Sequence, residues 1–197
     1  MEPSELLKDT SELGACAVFT PSGEKLLLSS LWAKHKIIFV FLRHFACIAC
    51  RAHAVQIWSD REKFEKSGSK LIFIGTGQPD FINKFKEDLG LTTALVLTDP
   101  SLESFKAAGF RNGFFYVANP SSLVNAVKLT VQGHTQSSYS ADAGSHWQLG
   151  GVLAVAPGGK ILFQFISEAV GDFPEEKQIN AIVAEEEMER KLNADNP

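Results

Sequence analysis

Lys36–Trp58 reads KIIFVFLRHFACIACRAHAVQIW, and the reading of this stretch decides the fold. Its opening run, Ile37-Ile38-Phe39-Val40-Phe41-Leu42, is short, apolar throughout, and built of β-branched, aromatic and leucine side chains. Such a run is a strand buried on both faces, as in a parallel or mixed sheet covered by helices. Arg43-His44-Phe45-Ala46 and Cys47-Ile48-Ala49-Cys50 follow, and from Arg51 the chain has high helix propensity with no breaker before Gly68. The spacing predicts one helix running to about Lys66. Cys47 and Cys50 therefore fall between the C-terminal end of a strand and the first turn of a helix, an edge where sites form in open α/β sheets.

Cysteines three apart across a helix start can close a disulfide with little backbone movement. The free N–H groups and partial positive charge of a helix N-terminus stabilise a thiolate. Arg43, His44 and Arg51 add cationic character nearby. This is the setting in which a cysteine pKa falls from ~8.5 into the ~3.5–7.5 range, and a Cys-x-x-Cys in a strand–turn–helix reads as a redox pair. Other readings stay open. A structural zinc site wants four ligands, and Cys47, Cys50 and His53 offer three. Covalent haem attachment needs histidine directly after the second cysteine, where Arg51 stands. Two inert core cysteines are the simplest competitor.

Working outward, Cys16–Phe19 and Lys25–Leu28 flank a Pro-Ser-Gly turn and read as a hairpin. Leu71–Ile74 and Leu91–Leu97 read as further strands, with helices expected from Asp80 to Leu89 and from Leu102 to Ala108. Asp99 is expected as a cap or turn residue. Gly75-Thr76-Gly77 is too short for a phosphate-binding fingerprint. Residues 110–148 break the rhythm and read as an insertion. It holds Phe110, Phe114, Phe115 and Tyr116, expected as core packing, then a helix opened by Asn119-Pro120-Ser121-Ser122 and running to about Val131. A polar Ser/Gly/His segment from 132 to 146 is expected to be more mobile than the sheet, with His134 and His146 as solvated loop residues. Val152–Ala156 and Ile161–Phe165 around Pro157-Gly158-Gly159 form a strong hairpin signal, and a terminal helix is expected from Glu175 to about Leu192.

At 197 residues, 45% hydrophobic and 21% charged, the chain is expected to form a single domain spanning 1–197, with the insertion at about 110–148. A formal net charge of -4 argues against a nucleic-acid partner. No run approaches the ~20 apolar residues of a membrane span. The acidic, polar Met1–Glu5 is unlike a secretory signal, and three cysteines do not make a disulfide framework. The expectation is a cytoplasmic protein with no metal and no cofactor.

The order of elements is that of an α/β thioredoxin-like fold, a central mixed sheet flanked by helices, with an N-terminal extension. Phe41-Leu42-Arg43-His44-Phe45-Ala46-Cys47-Ile48-Ala49-Cys50, Leu97-Thr98-Asp99-Pro100, and Trp147-Gln148-Leu149-Gly150-Gly151 leading into Pro157-Gly158-Gly159-Lys160 also carry a family resemblance. Over about residues 15 to 185 the chain resembles the peroxiredoxin-like AhpC/TSA family, in the branch of selenoprotein U and the prostamide/prostaglandin F synthases. The resemblance implies a thiol-based antioxidant oxidoreductase. In selenoprotein members selenocysteine takes the first position of the pair, which implies Cys47 as nucleophile and Cys50 as resolving thiol. Typical peroxiredoxins carry Pro-x-x-x-Thr-x-x-Cys. Counting back from Cys47 gives Val40 and His44, and counting back from Cys50 gives Arg43 and Cys47. Their arginine before the late strand is Gly150 here, so Arg43 and His44 would have to serve in place of those groups.

The leading expectation is a hydroperoxide-reducing dithiol enzyme using Cys47, Cys50, Arg43 and His44, recycled by thioredoxin or another thiol. A prostaglandin-endoperoxide-type reductase with the same dithiol, its apolar pocket lined by the aromatic insertion, is the alternative. A non-enzymatic thioredoxin-fold interaction module is a third.

Overall fold

A computed structural model describes residues 7–118, 120–131, 143–175, 177–179 and 181. Seven strands form one mixed sheet: β1 Ala17–Phe19, β2 Lys25–Leu27, β3 Lys36–Phe41, β4 Ser69–Gly75, β5 Leu95–Thr98, β6 Gly151–Val155 and β7 Ile161–Ile166. Their order is β2-β1-β5-β4-β3-β6-β7. β3, β4 and β5 run parallel, and the hairpins β1–β2 and β6–β7 attach antiparallel at the two sides. The α/β thioredoxin-like reading of the sequence is the architecture observed.

The apolar run at the centre is explained by the two faces it must fill. Ile38, Val40 and Leu42 point to one core with Leu71, Phe73, Val96, Ala54, Ile57 and Phe85. Ile37, Phe39 and Phe41 point to the other with Ile72, Ile74, Leu97, Phe105, Phe110 and Trp32. Alternation of side chains along a strand therefore splits one hydrophobic sequence between two helical layers. Among the described residues, the helices are α1 Ser11–Ala15, α2 Leu28–Leu31, α3 Ile48–Ser59, α4 Arg61–Lys66, α5 Asp80–Asp88, α6 Glu103–Ala107, α7 Phe114–Val117 and α8 Pro120–Val131.

Three elements depart from the sequence expectation. The long helix after the cysteines is divided at Asp60, which has φ -94° and ψ 3° and places its carboxylate 2.6 Å from the Lys63 ammonium. An aspartate is a weak helix former that competes with the helix for local hydrogen bonds, so the chain breaks there. The strand expected from Leu91 begins only at Leu95, because Leu91 and Ala94 turn inward as buried plugs and the Ala94 amide donates to the Leu91 carbonyl. The polar return segment reaches the sheet sooner than its composition suggests. Residues 132–142 lie outside the described residues, but Ala143 and Gly144 are buried. Of the expected terminal helix, Glu175 is not helical, residues 177–179 and 181 are, and the rest lies outside the described residues. Asp99 is a cap, as read: its carboxylate accepts from the amides of Ser101 (3.0 Å) and Ser104 (2.7 Å) at the entry to α6.

On α3, one turn beyond Cys50, His53 is 5% exposed and its ring stacks on Phe173 with centroids 3.9 Å apart. Burial holds its pKa down at about 4. An unfolded histidine titrates near ~6.5, so between these values the unfolded chain binds a proton that the native state does not. Stability is thus full above the unfolded value and is lost as pH falls through the folded one. From pH 7 to 4 this single group should remove about 3 kcal/mol. Denaturant unfolding at the two pH values tests this: His53→Phe should lose markedly less stability on acidification than the parent. An equal loss would contradict the assignment.

Candidate active site

The site grows from the C-terminal end of β3. The Leu42 amide still bonds to the Ile74 carbonyl of β4 at 2.7 Å, and then the chain leaves the sheet through Arg43–Ala46. Cys47 occupies the N-cap position of α3 with extended backbone angles (φ -67°, ψ 122°), and Cys50 lies within the first turn. The placement expected from the sequence, a cysteine pair at a helix start beside the sheet, is what the structure has. All three cysteines are free thiols.

Both sulfurs are deep. Cys47 is 3% exposed and Cys50 5%, so neither cysteine is markedly the more accessible. Arg43 is responsible for part of the cover. Its main-chain amide donates to Cys50 Sγ at 3.3 Å, and its guanidinium Nη1 lies 3.9 Å from Cys47 Sγ. The same guanidinium donates from Nε, at 2.9 Å, and from Nη2 to the carbonyl of His146. That pins the return segment over the dithiol.

The electrostatics separate the two thiols. The Cys50 thiol donates to the Cys47 sulfur; together with the Arg43 charge and the backbone N–H groups of Cys50 and Ala49 this brings the Cys47 pKa down to about 6, against the opposing effect of burial. Cys50 moves the other way. Its proton is held by the bond to Cys47, and burial and the neighbouring sulfur both disfavour a second negative charge. The arrangement is one thiolate and one protonated thiol in contact, the state needed for a nucleophile with a proton donor at its side. Cys16 stands apart. Its Sγ–H donates to the Glu12 carbonyl at 3.3 Å, and burial, then the surrounding carboxylates, raise its pKa.

Two side chains expected to lend positive charge do not. His44 is 2% exposed, and burial, then Arg43 and His146, lower its pKa to about 3, so it is neutral at physiological pH. Its ring meets that of His146 edge-on at 5.5 Å. Arg51 points away to α5, where it pairs with Asp88 at 3.3 Å. Arg43 is thus the cation that reaches the dithiol among these three.

The aromatic insertion divides. Phe110 is buried in the core and Tyr116 packs partly against it. Phe114 and Phe115, expected in the core, are 57% and 86% exposed. Phe114 lies 5.5 Å from the ring of Trp147, which follows His146 directly and is itself 47% exposed. The antiparallel bridge between Asn112 and Gln148 brings these rings together beside the cysteine loop. Thr76 and Ser145, which tie the loop together, escaped notice, since single hydroxyls carry no spacing signal. Among the described residues, no group of three His, Cys, Asp or Glu is placed to hold a metal ion, and no helix is long and apolar enough to cross a membrane.

The AhpC/TSA antioxidant enzyme family model matches residues 56–169, a span that begins after the cysteine pair. The thioredoxin-like protein AAED1, chloroplastic, of Arabidopsis thaliana is 30% identical over 170 residues, covering 82% of this chain and 68% of the relative. The prostamide/prostaglandin F synthase of Salmo salar is 30% identical over 154 residues, 77% of this chain and 76% of that protein. Among solved structures, peroxiredoxin Q of Xanthomonas campestris superposes with a TM-score of 0.63 at 12% identity, covering 94% of this chain and 98% of that one. With the matched span, the related sequences and the shared fold together, this chain belongs to the AhpC/TSA antioxidant enzyme family.

Proposed function

We propose that the protein is a thiol-dependent, peroxiredoxin-like oxidoreductase that reduces hydroperoxides through a Cys47–Cys50 dithiol/disulfide cycle. The observation that carries this reading is the pairing of a Cys47 thiolate, its pKa near 6, with a protonated Cys50 in contact with it. The Cys47 thiolate attacks the distal peroxide oxygen; the O–O bond breaks, the alkoxide leaves as alcohol after taking a proton, and Cys47 becomes a sulfenic acid. Cys50 then attacks the Cys47 sulfur, an S–S bond forms, and water departs. Two electrons and two protons from thioredoxin or another thiol restore the pair. In this reading Arg43 steadies the charge on sulfur and on the departing oxygen, and His44, neutral and buried, shapes the loop rather than charging it. A reducing compartment, the cytosol, completes the proposal.

A second reading concerns the peroxide. Phe114, Phe115 and Trp147 form an exposed aromatic chain leading toward the segment that covers Cys47. That favours a bulky apolar hydroperoxide or endoperoxide over hydrogen peroxide, and it is the observation behind the endoperoxide-reductase alternative.

Peroxide consumption coupled to thioredoxin recycling tests the first reading. Cys47→Ser should abolish turnover, whereas Cys50→Ser should still consume one equivalent and accumulate a sulfenic acid on Cys47 visible by mass spectrometry. Full activity in Cys47→Ser, or a sulfenic acid on Cys50, would overturn it. For the second reading, the double change Phe114→Ala with Trp147→Ala should raise KM for cumene hydroperoxide about tenfold, the equivalent of ~1.4 kcal/mol of lost apolar contact. Hydrogen peroxide kinetics should stay unchanged, and an equal change for both substrates would count against it.

A further inference from the structure

Gly75-Thr76-Gly77, at the end of β4, lacks the spacing to cradle a phosphate, and the proposed cycle makes no use of it. Its surroundings give it another role. Thr76 is 4% exposed and sits across from the cysteine loop. Its hydroxyl donates to the main-chain carbonyl of Arg43 at 2.6 Å and accepts from the amide of Ser145 at 2.9 Å. A hydroxyl has one proton to give, so the direction of both bonds is fixed. His146 follows Ser145, and its carbonyl is the one that receives the Arg43 guanidinium. The bonds therefore close a ring: Arg43 main chain, Thr76, Ser145–His146, and back to the Arg43 side chain.

From the Thr76 geometry we infer that this residue positions the dithiol by holding Arg43 at both ends. The held main chain directs the Arg43 amide to Cys50 Sγ, and the held acceptor segment keeps the guanidinium beside Cys47 Sγ. The neighbouring glycines serve this contact. A side chain at Gly75 would overlap the Phe45 ring, and one at Gly77 would come within 2.6 Å of the Ala143 carbonyl oxygen. Gly144, at φ +123°, would drive a Cβ into the Thr76 hydroxyl itself. From the adjacent strand the Thr98 hydroxyl donates its one proton to the Gly77 carbonyl and lies 3.1 Å from that of Gly75, which steadies the turn that presents Thr76. Clearance for the Phe45 ring and the Ala143 carbonyl, rather than phosphate binding, accounts for a glycine on each side of Thr76.

The inference rests on Cys47 being the reactive thiol, but its test needs no peroxide turnover, so its failure and that of the proposed cycle are told apart. The experiment is the pH dependence of Cys47 alkylation by iodoacetamide, read by mass spectrometry. The proteins compared are the parent, Thr76→Val, Thr76→Ser, Arg43→Gln and the Arg43→Gln/Thr76→Val pair. Valine keeps the shape and removes both bonds. It should raise the alkylation midpoint by roughly one pH unit, which slows labelling below the midpoint about tenfold. Serine keeps the hydroxyl and should titrate like the parent. Because part of the Thr76 effect passes through the Arg43 guanidinium, adding Thr76→Val to Arg43→Gln should move the midpoint by clearly less than Thr76→Val alone does. If valine does not fold, Thr76→Ala carries the same comparison. A hydroxyl that is merely structural would leave the midpoint of the valine or alanine variant at the parent value, and that result overturns the inference. So do additive shifts in the double variant, and so does a serine variant that behaves like valine.

Discussion

The rest of the site depends on how a nearly buried sulfur anion is kept charged. Taking an ion out of water is costly unless hydrogen bonds and opposite charge replace the solvent. Cys47 has both replacements close at hand: the Cys50 thiol, the opening amides of α3, and the guanidinium of Arg43. Each is supplied by the local fold. The strand-to-helix turn places Cys47 at the N-cap, helix pitch brings Cys50 back onto it, and the exit from β3 delivers Arg43. The asymmetry between two chemically identical residues follows, since one proton shared within the pair lowers one pKa only by raising the other.

This compensation is built on a rigid platform. β3 is fully buried between two cores, and its register with β4 and β6 leaves the exit at Leu42 no freedom to shift. The lid on the opposite side comes from far along the sequence, through the bridge between Asn112 and Gln148, the bonds of Ala143 and His146 to the cysteine loop, and that of Ser145 to Thr76. With Cys47 and Cys50 only 3% and 5% exposed, the Arg43–His146 cover leaves no room for a protein thiol to meet either sulfur while it is in place.

Much of this was legible in the sequence because the signals were local. The all-apolar strand, the cysteine spacing, the helix start and the hairpin around Pro157-Gly158-Gly159 each follow from residues within a few positions of one another. What the sequence hid was non-local. The neutrality of His44 depends on its burial under the return segment, and the turning-away of Arg51 depends on Asp88 in a different helix. The exposure of Phe114 and Phe115 reflects a one-turn helix held off the core, where hydrophobicity alone argued for burial. Thr76 was invisible for the same reason, since both of its partners are distant in sequence.

The central claim is that Cys47, and not Cys50, is the thiolate near neutral pH. Ultraviolet absorbance of the thiolate, followed through a pH titration of the parent, Cys47→Ser and Cys50→Ala, measures this directly. The account predicts one ionisation in the parent with a midpoint near 6, absent in Cys47→Ser and shifted upward in Cys50→Ala, where no side chain at position 50 donates to the charged sulfur. A parent whose thiols all titrate near the ordinary ~8.5, or a low-pH ionisation that survives in Cys47→Ser, would contradict it.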